Sequence, residues 1–405
     1  MRILLLTSYF PRSTDPVRGM FNYQQAHALA RHCEVKVVAP VQWFPVRLWH
    51  GAGPDSAPYR ETVGELTTWH PRYFLPPRIG RDFYSLQMAA WVLPRLARIR
   101  REYPFDVLLA TWAFPDVIVG ALAARLWNVP LLAKVHGSDI NVQTDFPLRR
   151  KQIRWALDQA HRVLAVSGAL RERLIGLGVP AERIMVHHNG VDRERFRPGD
   201  RAEARRHLKI PVEGKALVYV GYMNPPKAVN VLIDALGELR ASGRLDFTAH
   251  LVGCGPLKED LEAQARSLGL AESVVFHGRR PHDEIPHWMR AADVFCLPSI
   301  REGCPNVVLE ALASGCPLVS TRVGSVPDMV DPTAAVLVPP GESSPLAEGI
   351  RTALDRQWDP EALRRSVSHY DWDTSARALY EAACEAVELR RAPQPERALA
   401  ANSEG

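Results

Sequence analysis

Two acids, Glu302 and Glu310, stand eight residues apart around the turn Gly303-Cys304-Pro305-Asn306-Val307. Residues 294–297 before them read as a buried strand, 306–313 as a helix stopped by Gly315, and 317–320 as a second buried strand. In such a βαβ unit the turn delivers unpaired backbone amides and the positive end of the helix dipole beyond the carboxyl edge of the sheet. An anion is expected there. Gly303 lets the backbone approach a ligand, and Pro305 suits the first helical position, where its missing N–H costs little. A carboxylate beside an anion repels it, so both acids are expected to accept hydrogen bonds from hydroxyls that flank a central phosphate. A sugar nucleotide has that form, with phosphates in the middle and hydroxylated rings at both ends. In isolation, two acids at this spacing are more often plain surface charges; the surrounding glycines and prolines reverse that reading.

The elements that must position these residues need room. At 405 residues the chain exceeds one core, and two domains of about 190 residues each are expected. A hydrophobic content of 46% with 23% charged residues is that of a globular chain, not a disordered one. The six cysteines are scattered without paired or metal-type spacing, which fits a reducing cytoplasm. The apolar run at residues 1–6 is too short for a signal core and reads as the first strand. No apolar run approaches the roughly 18 residues of a membrane span. Charge is uneven: residues 1–200 hold 27 Lys/Arg against 17 Asp/Glu, and residues 201–405 hold 23 against 28. The basic first half is a candidate face for an anionic partner, or simply solvated surface. Nucleic acid is disfavoured, because the cations are spread over many elements with no accompanying motif.

Along the chain, strand-then-turn patterns recur. After the first strand a loop carries Arg18 and Gly19 into a helix at 21–31; it lacks Gly-x-Gly-x-x-Gly, which argues against NAD or FAD. Residues 41–77, Pro-rich with Trp43, Phe44, Trp49, Trp69, Tyr73 and Phe74 among arginines, read as a long acceptor-binding or membrane-facing loop, or as a variable surface insertion. A helix at 83–102 ends in four arginines, which also suit the helix dipole. Trp112 lies in a strand-to-helix connection. The strand 131–135 ends in His136-Gly137-Ser138-Asp139, placing an imidazole at a sheet edge where Gly137 permits a tight turn; Asp139 is equally a helix cap. A basic aromatic helix within 145–163 suits an anionic lipid surface or is an ordinary exposed face. Later come Asn189-Gly190-Val191-Asp192, the loop Gly221-Tyr222 to Lys227, Gly253-Cys254-Gly255 between strand and helix, His277-Gly278-Arg279, a last helix from Trp372, and a polar tail at 392–405.

Glu302-x7-Glu310 followed by Gly315, Pro317 and Val323-Gly324-Ser325-Val326-Pro327-Asp328, together with the His136 and Asn189 motifs, resembles the retaining glycosyltransferase family 4. The resemblance implies an α/β GT-B fold of two facing Rossmann-like domains. Residues 1–195 would bind the acceptor and 196–370 the donor, with a helix at 371–391 crossing back and a disordered tail at 392–405. It implies retaining transfer from a UDP- or GDP-sugar to a glycan or lipid-linked acceptor in exopolysaccharide, capsule or related surface-glycan synthesis. The protein is expected to be cytoplasmic, in peripheral contact with the anionic inner membrane. His136 would lie against the donor sugar, Lys227 on the diphosphate, Glu302 on sugar hydroxyls and Glu310 on the ribose. Gly19, Tyr222, Gly253, Gly278, Arg279 and the turn Gly303 to Val307 would complete the donor side, and Arg18, Trp112 and Asp139 the acceptor side. No cofactor or metal is implied, since a lysine and a helix dipole take a metal's place, and with no carboxylate placed as nucleophile, front-face attack is favoured. Tyr222 departs from the family, which usually has arginine there, and Ala228 replaces a common glycine. Arg18 or Arg301 compensates, or the enzyme is slower or takes an unusual donor, or the site binds without turnover. The rivals are a sugar-nucleotide epimerase on the same scaffold and a non-catalytic sugar-nucleotide binder.

Overall fold

Short apolar runs such as Ile3-Leu4-Leu5-Leu6 and Val294-Phe295-Cys296-Leu297 are buried along their whole length, as expected for parallel strands covered on both faces. They build two sheets in the computed structural model, which describes residues 1–43, 57–76, 80–244 and 246–391. Residues 44–56, including Phe44, Arg47 and Trp49, with Pro77, Arg78 and the tail 392–405, lie outside the described residues.

The chain forms two units. The first comprises residues 1–165 and 171–187 with the last helix from Ser375 onward. Its strands are β1 (Arg2–Leu6), β2 (Glu34–Val38), β3 (Val41–Trp43), β4 (Arg60–Val63), β5 (Leu66–Trp69), β6 (Arg72–Phe74), β7 (Val107–Thr111), β8 (Leu131–Val135), β9 (Arg162–Ala165) and β10 (Ile184–Val186). The main sheet has the order β10-β9-β8-β7-β1-β2-β5-β4, parallel except for the antiparallel β4–β5 hairpin, and β3 pairs with β6 in a separate ribbon. Part of the expected long loop at 41–77 is therefore sheet. The hairpin turns through Gly64 at φ 58°, and its short strands escape a sequence reading because prolines and aromatics mask their alternation.

The second unit holds residues 166–170 and 188–374. Its strands β11 (Lys215–Val220), β12 (Phe247–Val252), β13 (Val274–Gly278), β14 (Val294–Leu297), β15 (Leu318–Thr321) and β16 (Ala335–Val338) are all parallel, in the order β13-β12-β11-β14-β15-β16. Renumbered within the unit this is 3-2-1-4-5-6, the doubly wound nucleotide-binding order. The boundary drawn from sequence at 195/196 falls inside this unit. The last helix, Trp372–Arg391, supplies the first unit from Ser375: the Ser375 carbonyl lies 2.9 Å from His187 Nε2, and Glu385 pairs with Arg162 at 2.5 Å. No helix among the described residues is long and apolar enough to cross a membrane.

Candidate functional site

Where strand order reverses in a doubly wound sheet, the loops on either side run to opposite faces and open a crevice at the carboxyl edge. In the second unit that point lies between β11 and β14, and the loops leaving these two strands carry Lys227 and Glu302. Lys227 ends a short 3-10 turn, Pro225–Lys227, and its Nζ donates to Glu302 Oε1 at 2.6 Å. Ser299 Oγ donates to the same oxygen at 2.6 Å. The Pro226 carbonyl accepts from Ile300 N at 2.9 Å, fastening the two loops together. The sequence separated the roles of Lys227 and Glu302, one for phosphate and one for sugar; the structure joins them in an ion pair whose carboxylate is almost wholly buried.

The helix Asn306–Ala313 follows, as the apolar periodicity requires. Pro305 is not its first residue but its cap, with extended backbone at ψ 102°, because Asn306 is held where the helix starts: its Oδ1 accepts from Asn189 Nδ2 at 3.0 Å. The amides of Asn306 and Val307 have no acceptor inside the helix. The Gly303 carbonyl accepts from Ser325 N at 3.0 Å, and a Cβ on Gly324 would lie 2.5 Å from the Glu302 carbonyl oxygen, so the two loops pack backbone against backbone. Cys304 Sγ lies 3.6 Å from Met329 Sδ. Glu310 projects from the helix into a site that pushes its carboxyl up to about 7 through burial, with Arg195 pulling the other way.

Gly253, at φ 145°, leaves no space for a side chain: a Cβ would lie 1.8 Å from the Gly221 carbonyl oxygen. Its amide donates to the Gly278 carbonyl at 2.8 Å, so the loops after β11, β12 and β13 interlock through glycine backbone. Tyr222 stands 54% exposed beside them, and Arg279 is exposed just past β13. Of the arginines expected to stand in at position 222, Arg301 sits on the Glu302 turn, whereas Arg18 belongs to the first unit. The sole Asp-x-Asp of the chain, Asp371-Trp372-Asp373, opens the last helix, where Asp371 accepts from Thr374 N at 2.8 Å and from its hydroxyl at 2.5 Å.

In the first unit the reversal lies between β1 and β7. Asp116, after β7, accepts from Ser8 Oγ at 2.6 Å and Ser8 N at 3.0 Å, after β1. Burial drives the Asp116 carboxyl up to about 7, with the Ser8 hydrogen bonds opposing it. Tyr9 is the hub: its ring is 4.4 Å from Trp112 and 4.7 Å from the Arg18 guanidinium, whose Nε donates to the Ser8 carbonyl at 3.1 Å. Gly19 touches the same residue, since a Cβ there would come within 2.2 Å of the Tyr9 carbonyl oxygen. Trp112, at φ 86°, stacks on His136 at 5.4 Å, and Phe21 approaches that imidazole at 5.0 Å. His136 Nε2 is buried with no hydrogen-bond partner. Burial, then Lys134 and His187, hold the ring well below the usual histidine range, so it is neutral. Asp139 is not a helix cap: its carboxylate accepts from the amides of Ala113 at 2.7 Å, Gly137 at 2.7 Å and His136 at 3.0 Å, clasping the loops after β7 and β8.

The structure thus gathers Arg18, Gly19, Trp112, His136 and Asp139 in one unit and Lys227, Glu302 and the turn 303–307 in the other. Asn189 was singled out as part of a motif, though not its contact with Asn306, and Tyr9, Ser8, Asp116 and Ser299 were missed. Each follows a strand end or a turn signal, but none carries a spacing that marks it.

The Glycosyltransferase Family 4 domain matches residues 19–195, and the Glycosyl transferases group 1 domain matches residues 214–356. A Bacillus subtilis (strain 168) protein named as a teichuronic acid biosynthesis glycosyltransferase, TuaC, is 29% identical over 394 residues, 94% of this chain and 97% of the relative. The GDP-mannose-dependent alpha-(1-6)-phosphatidylinositol monomannoside mannosyltransferase of Mycolicibacterium smegmatis is 31% identical over 341 residues, 81% of this chain and 82% of its own. The crystal structure of Anabaena HepE in complex with UDP superposes with a TM-score of 0.72 at 22% identity, over 95% of this chain and 100% of that one. With two parallel-sheet Rossmann-like halves, the GT-B architecture and both domain matches in order, the chain belongs to glycosyltransferase family 4.

Proposed function

We propose that the chain moves a sugar from a UDP- or GDP-sugar to a hydroxyl of a glycan or lipid-linked acceptor in surface-glycan assembly, at the cytoplasmic face of the membrane, with retention of configuration. The observation that carries this is the Lys227–Glu302 pair at the reversal point of the second sheet, beside the open amides of a helix that holds Glu310. These are the donors a diphosphate needs and the acceptors its flanking rings need. The names of the relatives agree: one is named for teichuronic acid biosynthesis, one for dependence on GDP-mannose, and one was crystallised with UDP.

In front-face displacement the bond from the anomeric carbon to the phosphate oxygen breaks while the acceptor oxygen bonds on the same face, and the acceptor proton passes to the departing phosphate. Lys227 and the amides of Asn306 and Val307 take up the charge of the leaving diphosphate, the work a metal performs elsewhere. Glu302 orients sugar hydroxyls, Glu310 the ribose, and the neutral imidazole of His136 the sugar beside the reacting carbon.

A panel of nucleotide sugars in a thermal-shift assay tests the site, since a ligand at 100 times its Kd stabilises the folded chain by about 2.7 kcal/mol. The responding donor should lose its shift with Lys227→Ala and with Glu302→Ala; a shift that survives both places the nucleotide elsewhere. A shift without turnover across an acceptor panel identifies a binder, for which the exposed Tyr222 leaves room.

Glu310 adds a pH dependence. Its folded value of about 7 exceeds the ordinary 4.5, so the folded chain holds a proton the unfolded chain has lost. Its stabilising contribution is full below about 4.5, falls as pH rises and is gone above about 7. Ribose hydroxyls donate to the ionised form and favour it. Donor binding should therefore release a proton below about pH 7 and tighten as pH rises through that value, seen by calorimetry in buffers of differing ionisation enthalpy. A sugar diphosphate, esterified at both ends, has no second-ionisation proton of its own to confuse the result. Glu310→Gln should abolish the release; its persistence would assign the proton to another group.

A further inference from the structure

The helix Tyr84–Glu102 is apolar on two opposite faces. One face, with Met88, Val92, Leu96 and Ile99, is buried in the first unit. The other needs no core, yet Phe83 just before the helix and Leu86 and Trp91 within it are 49, 45 and 41% exposed, and Ala90 and Pro94 on the same stripe are exposed too. At 100° per residue these five fall on one side of the helix. The stripe continues as Arg98 and Arg101 in the last turn, and no acid occurs between Tyr84 and Arg101.

The start of the helix Pro147–Asp158 lies alongside. Arg149 Nε pairs with Asp82 at 2.9 Å, and Gln152 Nε2 donates to the Asp82 carbonyl at 2.6 Å and to that of Leu148 at 3.2 Å. These bonds tie the start of that helix, with Phe146 and Leu148 43 and 44% exposed and the cations Arg150 and Lys151 exposed as well, to Asp82, the residue before Phe83. The acids at the margin are spoken for: Asp82 by Arg149, Asp145 by Arg173 at 3.9 Å and Glu102 by Arg60 at 3.9 Å.

We propose that this face, the outer stripe of the helix Tyr84–Glu102 with Phe146 and Leu148, docks on an anionic lipid bilayer; the choice of a bilayer rests on the reading of a lipid-linked acceptor above. The apolar side chains enter the boundary between headgroups and acyl chains, Trp91 sits at headgroup level, and the surrounding arginines and lysine meet anionic headgroups. The Arg95 guanidinium, 5.5 Å from the Trp91 ring, fits the same depth. A second copy of the chain fits this face less well: it would bring the same cations and no carboxylate to match them, since the helix has no acid between Tyr84 and Arg101 and the acids at the margin are already paired. The helix lies on the bilayer, being too polar to cross it.

Flotation of the full chain with vesicles of phosphatidylcholine alone, and of phosphatidylcholine mixed with phosphatidylglycerol, tests this. Binding is expected to the anionic vesicles and not to the neutral ones. Arg98→Gln with Arg101→Gln should weaken it roughly fivefold per charge removed, and Phe83→Ser with Leu86→Ser should abolish it while the nucleotide-sugar thermal shift stays intact. Equal binding to both vesicle types, undiminished binding by the serine variant, or an absence of vesicle binding with a dimer that the serine variant dissolves would each overturn the proposal. A normal thermal shift without vesicle binding sinks the surface alone; vesicle binding without any shift sinks the donor site alone.

Discussion

Lys227→Ala is expected to lower kcat/KM for the donor by about 100- to 1000-fold, the loss seen when one charge-stabilising donor is removed from a transition state. The ion pair sharpens the expectation. Lys227 is the cation at 2.6 Å from a Glu302 side chain only 8% exposed, so its removal leaves that carboxylate partnered by the Ser299 hydroxyl alone. An unneutralised carboxylate in this position repels an incoming diphosphate. Nucleotide binding should therefore suffer more from Lys227→Ala than from Glu302→Gln, and the double variant should bind the nucleoside diphosphate better than Lys227→Ala does. This non-additivity is the signature of paired groups. Calorimetric titration of the four proteins measures it; strictly additive losses would show that the pair is a surface contact with no part in anion binding.

His136→Ala is expected to reduce kcat about 100-fold with little change in donor Kd. The imidazole Nε2 is buried without a partner, an arrangement that costs about 1–3 kcal/mol until something supplies the hydrogen bond. On the proposed function, a sugar hydroxyl in the transition state is that group. Because the ring is held neutral far below its ordinary range, kcat at saturating donor should show no histidine inflection between about pH 6 and 7. His136→Phe keeps the aromatic packing with Phe21 and Trp112 but not the nitrogen, so it should be as inactive as the alanine variant. Restored activity in the phenylalanine variant would make His136 a packing residue.

The legible parts of the chain were those written in local pattern. The strand Val294–Leu297 and the helix Asn306–Ala313 are announced by an apolar run, a polar turn and a glycine stop, and the structure has both with those bounds. His136 at the end of β8 and Gly253 after β12 were legible for the same reason, since a strand followed by glycine can only end at a sheet edge. The illegible parts are long-range. Lys227 and Glu302 lie 75 residues apart and Ser8 and Asp116 108 apart, and nothing local to any of them says that strand order will reverse between β11 and β14 or between β1 and β7. Asp139 looked like a cap because caps and loop clasps use the same carboxylate chemistry, and only the position of Ala113 distinguishes them. Pro305, read as suiting the first helical position, is the cap just before it, and the first helical residue, Asn306, bonds to Asn189, which is remote in sequence.

The central claim is that the reversal point of the second sheet grips the donor diphosphate, and a crystal structure of the chain with a bound nucleoside-diphosphate sugar tests it most directly. The predicted result has the diphosphate against the amides of Asn306 and Val307 with Lys227 Nζ within hydrogen-bond distance, and the ribose hydroxyls on Glu310. Density for the diphosphate away from that helix start, with the Lys227–Glu302 pair undisturbed and Glu310 untouched, contradicts it.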